Sequence, residues 1–137
     1  MTTHQLLVNV DVDDLARATR FYTEAFDLRV GRRLGPSVVE LVGASTHLYL
    51  LEKPSGSPTS ATSSETRRYT RHWTPIHLDF VVPSLELASE LALRAGAVME
   101  SGIQEAPYGR IAYFSDPFGH GFCLLEFSAA GYDAIAT

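Results

Sequence analysis

Cysteine is almost absent from this chain, with one residue, Cys123, in 137. That excludes an intramolecular disulfide framework and suits a reducing compartment. Long apolar runs are missing too: no stretch approaches the roughly 18 continuous apolar residues of a membrane-spanning helix. The opening Met1-Thr2-Thr3-His4-Gln5 lacks the basic start and apolar middle of a signal peptide. A cytoplasmic protein without a membrane partner is the expectation. Basic runs are also lacking, since Lys and Arg form nothing longer than pairs and the net charge is -5. Nucleic acid is therefore excluded as an expected partner, because phosphate recognition shows as a basic face.

What is present is repetition. Leu6-Leu7-Val8-Asn9-Val10-Asp11-Val12 runs into Asp14-Leu15-Ala16-Arg17-Ala18, and Ile76-His77-Leu78-Asp79-Phe80-Val81-Val82 runs into Ser84-Leu85-Glu86-Leu87-Ala88 with the same apolar rhythm. Each half closes on a matching strand, residues 47–52 in the first and 121–126 in the second. A repeated unit sets the architecture before any local assignment is made.

In each half a strand leads to an amphipathic helix and then to short β-type segments. Leu15, Ala18, Tyr22, Ala25 and Phe26 recur at helical spacing, with Asp13 and Asp14 available to cap. Segments 28–34, 37–42 and 46–52 follow, separated by turn residues. In the second half Ser84 caps a helix that stops at Gly96, and strands are expected over 98–105, 110–114 and 121–127. The pattern predicts an α+β fold of two tandem βαβββ modules, residues 1–53 and 75–128. Residues 54–74 read as a Ser/Thr/Pro-rich linker and lid, and 129–137 as a loosely held tail.

With βαβββ stated twice, Asp-Leu-x-x-Ala-x-x-Phe-Tyr at Asp14 to Tyr22, and Asp116-Pro117-Phe118-Gly119-His120 before the last strand, the chain resembles the vicinal-oxygen-chelate superfamily. That group includes glyoxalase I, bleomycin-resistance proteins and extradiol dioxygenases. The resemblance implies a curved mixed sheet forming a cup around a small molecule, often across a homodimer. In metal-using members one divalent ion, such as zinc, nickel, iron or manganese, is held by inward side chains of the first and last strands of both modules. The family's offsets place those ligands at Leu7, Tyr49, His77 and Cys123. Only His77 keeps the usual ligand type. Glu52 and Glu126 are tempting replacements, but strand alternation turns both outward, where they read as solvated strand ends.

The candidate site therefore centres on His77 and Asp79, as acid and base if the protein is an enzyme. The competing reading is a buried histidine satisfied by hydrogen bonds. Asn9 is the repeat counterpart of Asp79, and both are polar where a core strand would carry Val or Ile; a hydrogen bond between modules is as good an account as ligand contact. Cys123 is a small buried hydrophobe or a ligand contact. In the lid, Tyr69 and Trp73 can stack on an aromatic ligand while Arg67, Arg68 or Arg71 pairs an acidic substituent. Tyr49 and the Tyr108-Gly109-Arg110 turn extend that surface. The expectation is a binding protein for an aromatic or acidic small molecule, dimeric and without a cofactor. The alternative is a divalent-metal lyase, isomerase or dioxygenase with a non-standard ligand set that includes His77 and Cys123.

Overall fold

The structure, a computed structural model, describes residues 3–137. It divides between Tyr69 and Thr70 into two compact units. The first holds β1 (Val8–Val12), α1 (Leu15–Phe26), β2 (Arg29–Arg33), β3 (Val38–Val42) and β4 (Leu48–Glu52). The second holds β5 (Leu78–Val81), α2 (Leu85–Ala95), β6 (Val98–Ala106), β7 (Gly109–Ser115) and β8 (Gly121–Phe127). Each unit is one four-stranded mixed sheet, ordered β1-β4-β3-β2 in the first and β5-β8-β7-β6 in the second. The first and last strands of each unit pair in parallel, and the other pairs are antiparallel. The expected α+β fold of two βαβββ modules is what the chain forms.

Helix α1 starts where Asp14 accepts a hydrogen bond from the Arg17 amide at 3.0 Å and ends at Asp27, whose backbone is left-handed with φ 52°. Its stripe of Leu15, Ala18, Phe21, Tyr22 and Ala25 is buried. Burying each of the larger side chains contributes about 1.5–3 kcal/mol. The stripe covers one face of the sheet, where Val39, Leu41, Leu48 and Leu50 are nearly inaccessible. In the second unit Ser84 caps α2, and Phe114 and Phe122 stack at 5.4 Å. Alternation then sends Glu40, Tyr49, Tyr113 and Cys123 to the opposite faces.

Three expectations are corrected. Residues 54–69 belong to the first unit and carry their own ladder, with Gly56 N to Arg67 O at 2.7 Å, Arg67 N to Ser57 O at 2.9 Å and Thr59 N to Glu65 O at 3.1 Å. Side chains secure that ladder: Arg67 Nε donates to Asp11 at 2.7 Å and the Tyr69 hydroxyl donates to the Lys53 carbonyl at 2.6 Å. The tail is not loose. Residues Gly131–Ala134 form a 3-10 turn, and the Tyr132 ring packs on Phe127 at 4.7 Å and Tyr108 at 5.2 Å. Finally, Glu52 and Glu126 do face away from Tyr49 and Cys123, but neither is merely a solvated strand end. Each carboxylate accepts the first amide of its unit's helix, Leu15 at 2.9 Å and Leu85 at 3.2 Å.

Candidate functional site

Pairing across each sheet lines up one polar row per unit. In the second unit Asp79 on β5 faces Cys123 on β8, Cys123 faces Tyr113 on β7, and Tyr113 faces Ser101 on β6. In the first unit the equivalent row is Asn9, Tyr49 and Glu40, continued by Arg32. The repeat therefore places chemistry at the same level twice, with different residues.

His77 precedes β5, and its Nε2 lies 3.1 Å from Asp79 Oδ1, with side-chain exposures of 50% and 37%. This is an accessible imidazole–carboxylate pair; the buried-histidine reading does not apply. Beside it Cys123 is buried, and burial, reinforced by Asp79, pushes its thiol up to about 12. A thiol so held keeps its proton at neutral pH and is a poor nucleophile. Ile111 and Leu125 pack around it.

Next to this group opens a cleft of about 160 Å³, whose lining includes Arg71, Trp73, His77, Glu100, Tyr113 and Cys123. Trp73 is 79% exposed and Tyr113 41%, so aromatic surface is available. Arg71 is clamped: Nε donates to Glu100 Oε2 at 2.6 Å, Nη2 to Oε1 at 3.1 Å, and Nη1 to the His72 carbonyl at 2.5 Å. The pairing raises the Arg71 pKa and lowers that of Glu100. A Cβ on Gly121 would lie 2.6 Å from Arg71 Nη2, so glycine there lets the guanidinium lie against β8.

The second unit thus brings together Arg71, Trp73, His77, Asp79 and Cys123. Asn9, Tyr49 and Tyr69 belong to the first. There Tyr49 is not an unoccupied platform, because its hydroxyl donates to Glu40 at 2.8 Å. Tyr69 and Arg67 are tied to their own unit, through Lys53 and Asp11. Arg110, expected at a ligand rim, is instead bound by Glu86 and Glu126 on the helix side. Of Arg67, Arg68 and Arg71, the residues expected to pair an acidic substituent, Arg67 holds the Asp11 carboxylate and Arg71 that of Glu100.

One group escaped the sequence reading. Glu40 has a side chain only 4% exposed, yet it accepts from Arg32 Nε at 3.0 Å and from Tyr49, with His47 Nδ1 at 3.6 Å. The bonds from Arg32 and Tyr49 hold its carboxyl down at about 2. A lone acid in Val38-Val39-Glu40-Leu41-Val42 was the available signal.

The superfamily's metal can be tested against these residues. Leu7 offers an alkyl chain and Tyr49 is engaged by Glu40, so the standard set does not fit. The second unit does hold three donors, His77, Asp79 and Cys123, whose ligand atoms lie within 4.8 Å of one another. Imidazole, carboxylate and thiol together make a zinc-type set.

Comparison with known proteins agrees with this architecture. An uncharacterized protein of Mycobacterium bovis is 28% identical over 117 residues, covering 82% of this chain and 76% of that one. One from Mycobacterium tuberculosis is equally similar, with 68% of its length covered. TnmS3, an antibiotic binding protein from a Streptomyces, superposes with TM-score 0.65 at 24% identity, over 93% of this chain and 98% of its own. A variant of FosX, a fosfomycin resistance protein of Listeria monocytogenes, was crystallised with Mn(II) and a dihydroxypropylphosphonic acid. It superposes with TM-score 0.70 at 20% identity, over 95% of this chain and 94% of its own. At these identities the structural likeness speaks for the fold. The glyoxalase-like domain family matches residues 7–125, and the chain belongs to that family, within the vicinal-oxygen-chelate superfamily.

Proposed function

We propose that this is a small-molecule-binding protein that receives an aromatic ligand in the cleft of its second unit, without the superfamily's standard metal site. The observation that carries this is the cleft itself, with aromatic surface at Trp73 and Tyr113 beside the polar pair His77 and Asp79. Such a mixture is what small-molecule sites use: apolar area for affinity and a few polar groups for orientation. TnmS3 supports the reading as a neighbour of the same fold described as antibiotic binding. A homodimer is part of the proposal, since Leu6, Leu7, Ile76 and Val81 are exposed apolar residues that a second copy would cover.

Trp73 is the single tryptophan, so its emission reports on the cleft directly. Aromatic probes are expected to change that emission in the wild-type protein and not in Trp73→Phe. Tyrosine-excited emission would follow the variant, and an unchanged Trp73 signal with every probe overturns the reading.

The second reading is a metal-dependent lyase, isomerase or dioxygenase, favoured by the three-donor group. His77, Asp79 and Cys123 would hold the ion, which would supply Lewis-acid polarisation of a bound oxygen. Elemental analysis decides between the two readings: one equivalent of metal in the wild type, lost in His77→Ala, would favour this alternative.

A further inference from the structure

Resting on the binding reading, we infer that residues 70–76 form a flap that closes over the ligand, and that Arg71 is the positioning residue that latches its first end. The flap carries neither helix nor strand, so side chains and close contacts decide where it lies. Its first two residues are seated on two glycines of the second unit. Gly119 has a left-handed backbone with φ 86°, and a Cβ there would stand 2.6 Å from the carbonyl carbon and oxygen of Thr70. A Cβ on Gly121 would stand 2.6 Å from Arg71 Nη2 and 3.0 Å from its Cζ. Across that bare stretch of β8 the guanidinium reaches both carboxylate oxygens of Glu100 on β6. Bidentate pairing of this kind fixes a guanidinium in direction as well as distance.

Beyond Arg71 the side-chain ties stay inside the flap. His72 Nδ1 lies 2.9 Å from the Thr70 carbonyl oxygen, and the Thr74 hydroxyl donates to the Ile76 carbonyl at 2.7 Å. Trp73 and Ile76 are 79% and 80% exposed, although Trp73 lines the cleft. An indole that borders a cleft yet stands in water has apolar area still to bury, out of roughly 150–250 Å² for a whole aromatic side chain. A ligand in the cleft offers Trp73 that surface, and a segment without a ladder is free to swing onto it. Arg71 sets where the indole hangs, because its tie to β6 lies two residues before Trp73. With the latch released, Trp73 samples positions off the cleft, and a ligand must then order it at a cost in affinity.

The test follows Trp73, the single tryptophan, in the full-length protein with and without an uncharged aromatic probe, benzyl alcohol. Two variants release the latch from opposite sides: Glu100→Gln removes the acceptor's charge, and Gly121→Ala pushes the guanidinium off β8. Without probe, each is expected to raise the fast, nanosecond part of the Trp73 anisotropy decay about twofold, and the double variant to add little to either. With probe, acrylamide quenching of wild-type Trp73 is expected to fall as the flap closes. Titration by ligand-observed NMR should show each variant binding benzyl alcohol about fivefold more weakly, the upper range for an exposed ion pair. Unchanged Trp73 mobility in both single variants overturns the latch, and so does a loss of urea stability with no gain in that mobility. Benzyl alcohol binding that leaves acrylamide quenching as it was overturns closure while leaving aromatic binding in place. If the mobility responds as expected but benzyl alcohol binds none of the proteins, the binding reading falls and takes closure with it, while the latch stands.

Discussion

The carboxylate of Glu126, on the last strand of the second unit, accepts a hydrogen bond from the amide of Leu85, the first residue of α2, at 3.2 Å. Glu52 does the same for Leu15 in the first unit at 2.9 Å. The free amides of a helix N-terminus and its positive dipole end both favour a carboxylate at that point. The repeat therefore conserves between its halves a tie from strand to helix across 37 residues in one half and 41 in the other. We predict that Glu52→Ala and Glu126→Ala each lower stability by about 1 kcal/mol, the usual cost of losing a helix cap. Urea denaturation checks this. Glu126→Ala should cost more than Glu52→Ala, because Glu126 also holds Arg110 at 2.8 Å through Nε.

The Glu40 network predicts an acid-side pH dependence. Its carboxyl lies at about 2 in the folded protein against an ordinary 4.5. A group whose pKa falls on folding stabilises the native state above its unfolded pKa and loses that contribution as pH drops through the folded value. The melting temperature of the wild type should exceed that of Glu40→Gln above about pH 4.5, with the gap closing as the pH falls toward 2. A gap independent of pH would mean that the charge of Glu40 is not what Arg32 and Tyr49 recognise.

Cys123 should be chemically quiet. Its raised thiol pKa and burial leave little thiolate at pH 8, and the thiolate is the reactive form. Iodoacetamide is expected to label the native protein far more slowly than the urea-unfolded chain. Equal rates would show that the cleft wall around Cys123 opens readily, and the packing of Ile111 and Leu125 against it would need revision.

How much of this was legible in the sequence follows the range of each interaction. Strand alternation and helical spacing are local, so both modules, the caps at Asp14 and Ser84, and the outward turn of Glu52 and Glu126 could be read directly. The partners of those carboxylates could not, because alternation gives a direction and not what lies there. The same holds for Arg67, whose choice of Asp11 spans 56 residues; a polar composition suggested a linker, while the pairing makes a hydrogen-bonded excursion. Glu40 was legible in principle. A single acid within four valines and leucines on a central strand needs a buried partner, and Arg32 lies one hairpin away.

That Arg67 pairing carries the last prediction. Its guanidinium donates to Asp11 at 2.7 Å, while its own backbone pairs with Gly56 and Ser57. The side chain is only 17% exposed, so it acts as the rivet between the excursion and β1. Removing it takes away one of the two side-chain ties that secure the ladder, the Tyr69 hydroxyl on Lys53 being the other, and so short a ladder holds poorly in water without such support. Arg67→Ala should therefore raise amide exchange at Gly56, Thr59 and Arg67 by at least about tenfold, the equivalent of roughly 1.4 kcal/mol of local opening. Amides of β3 and β4 should change little, since those strands are covered by α1. Hydrogen exchange followed by mass spectrometry separates the two regions, and equal acceleration in both would show that the excursion is part of the first unit's cooperative core.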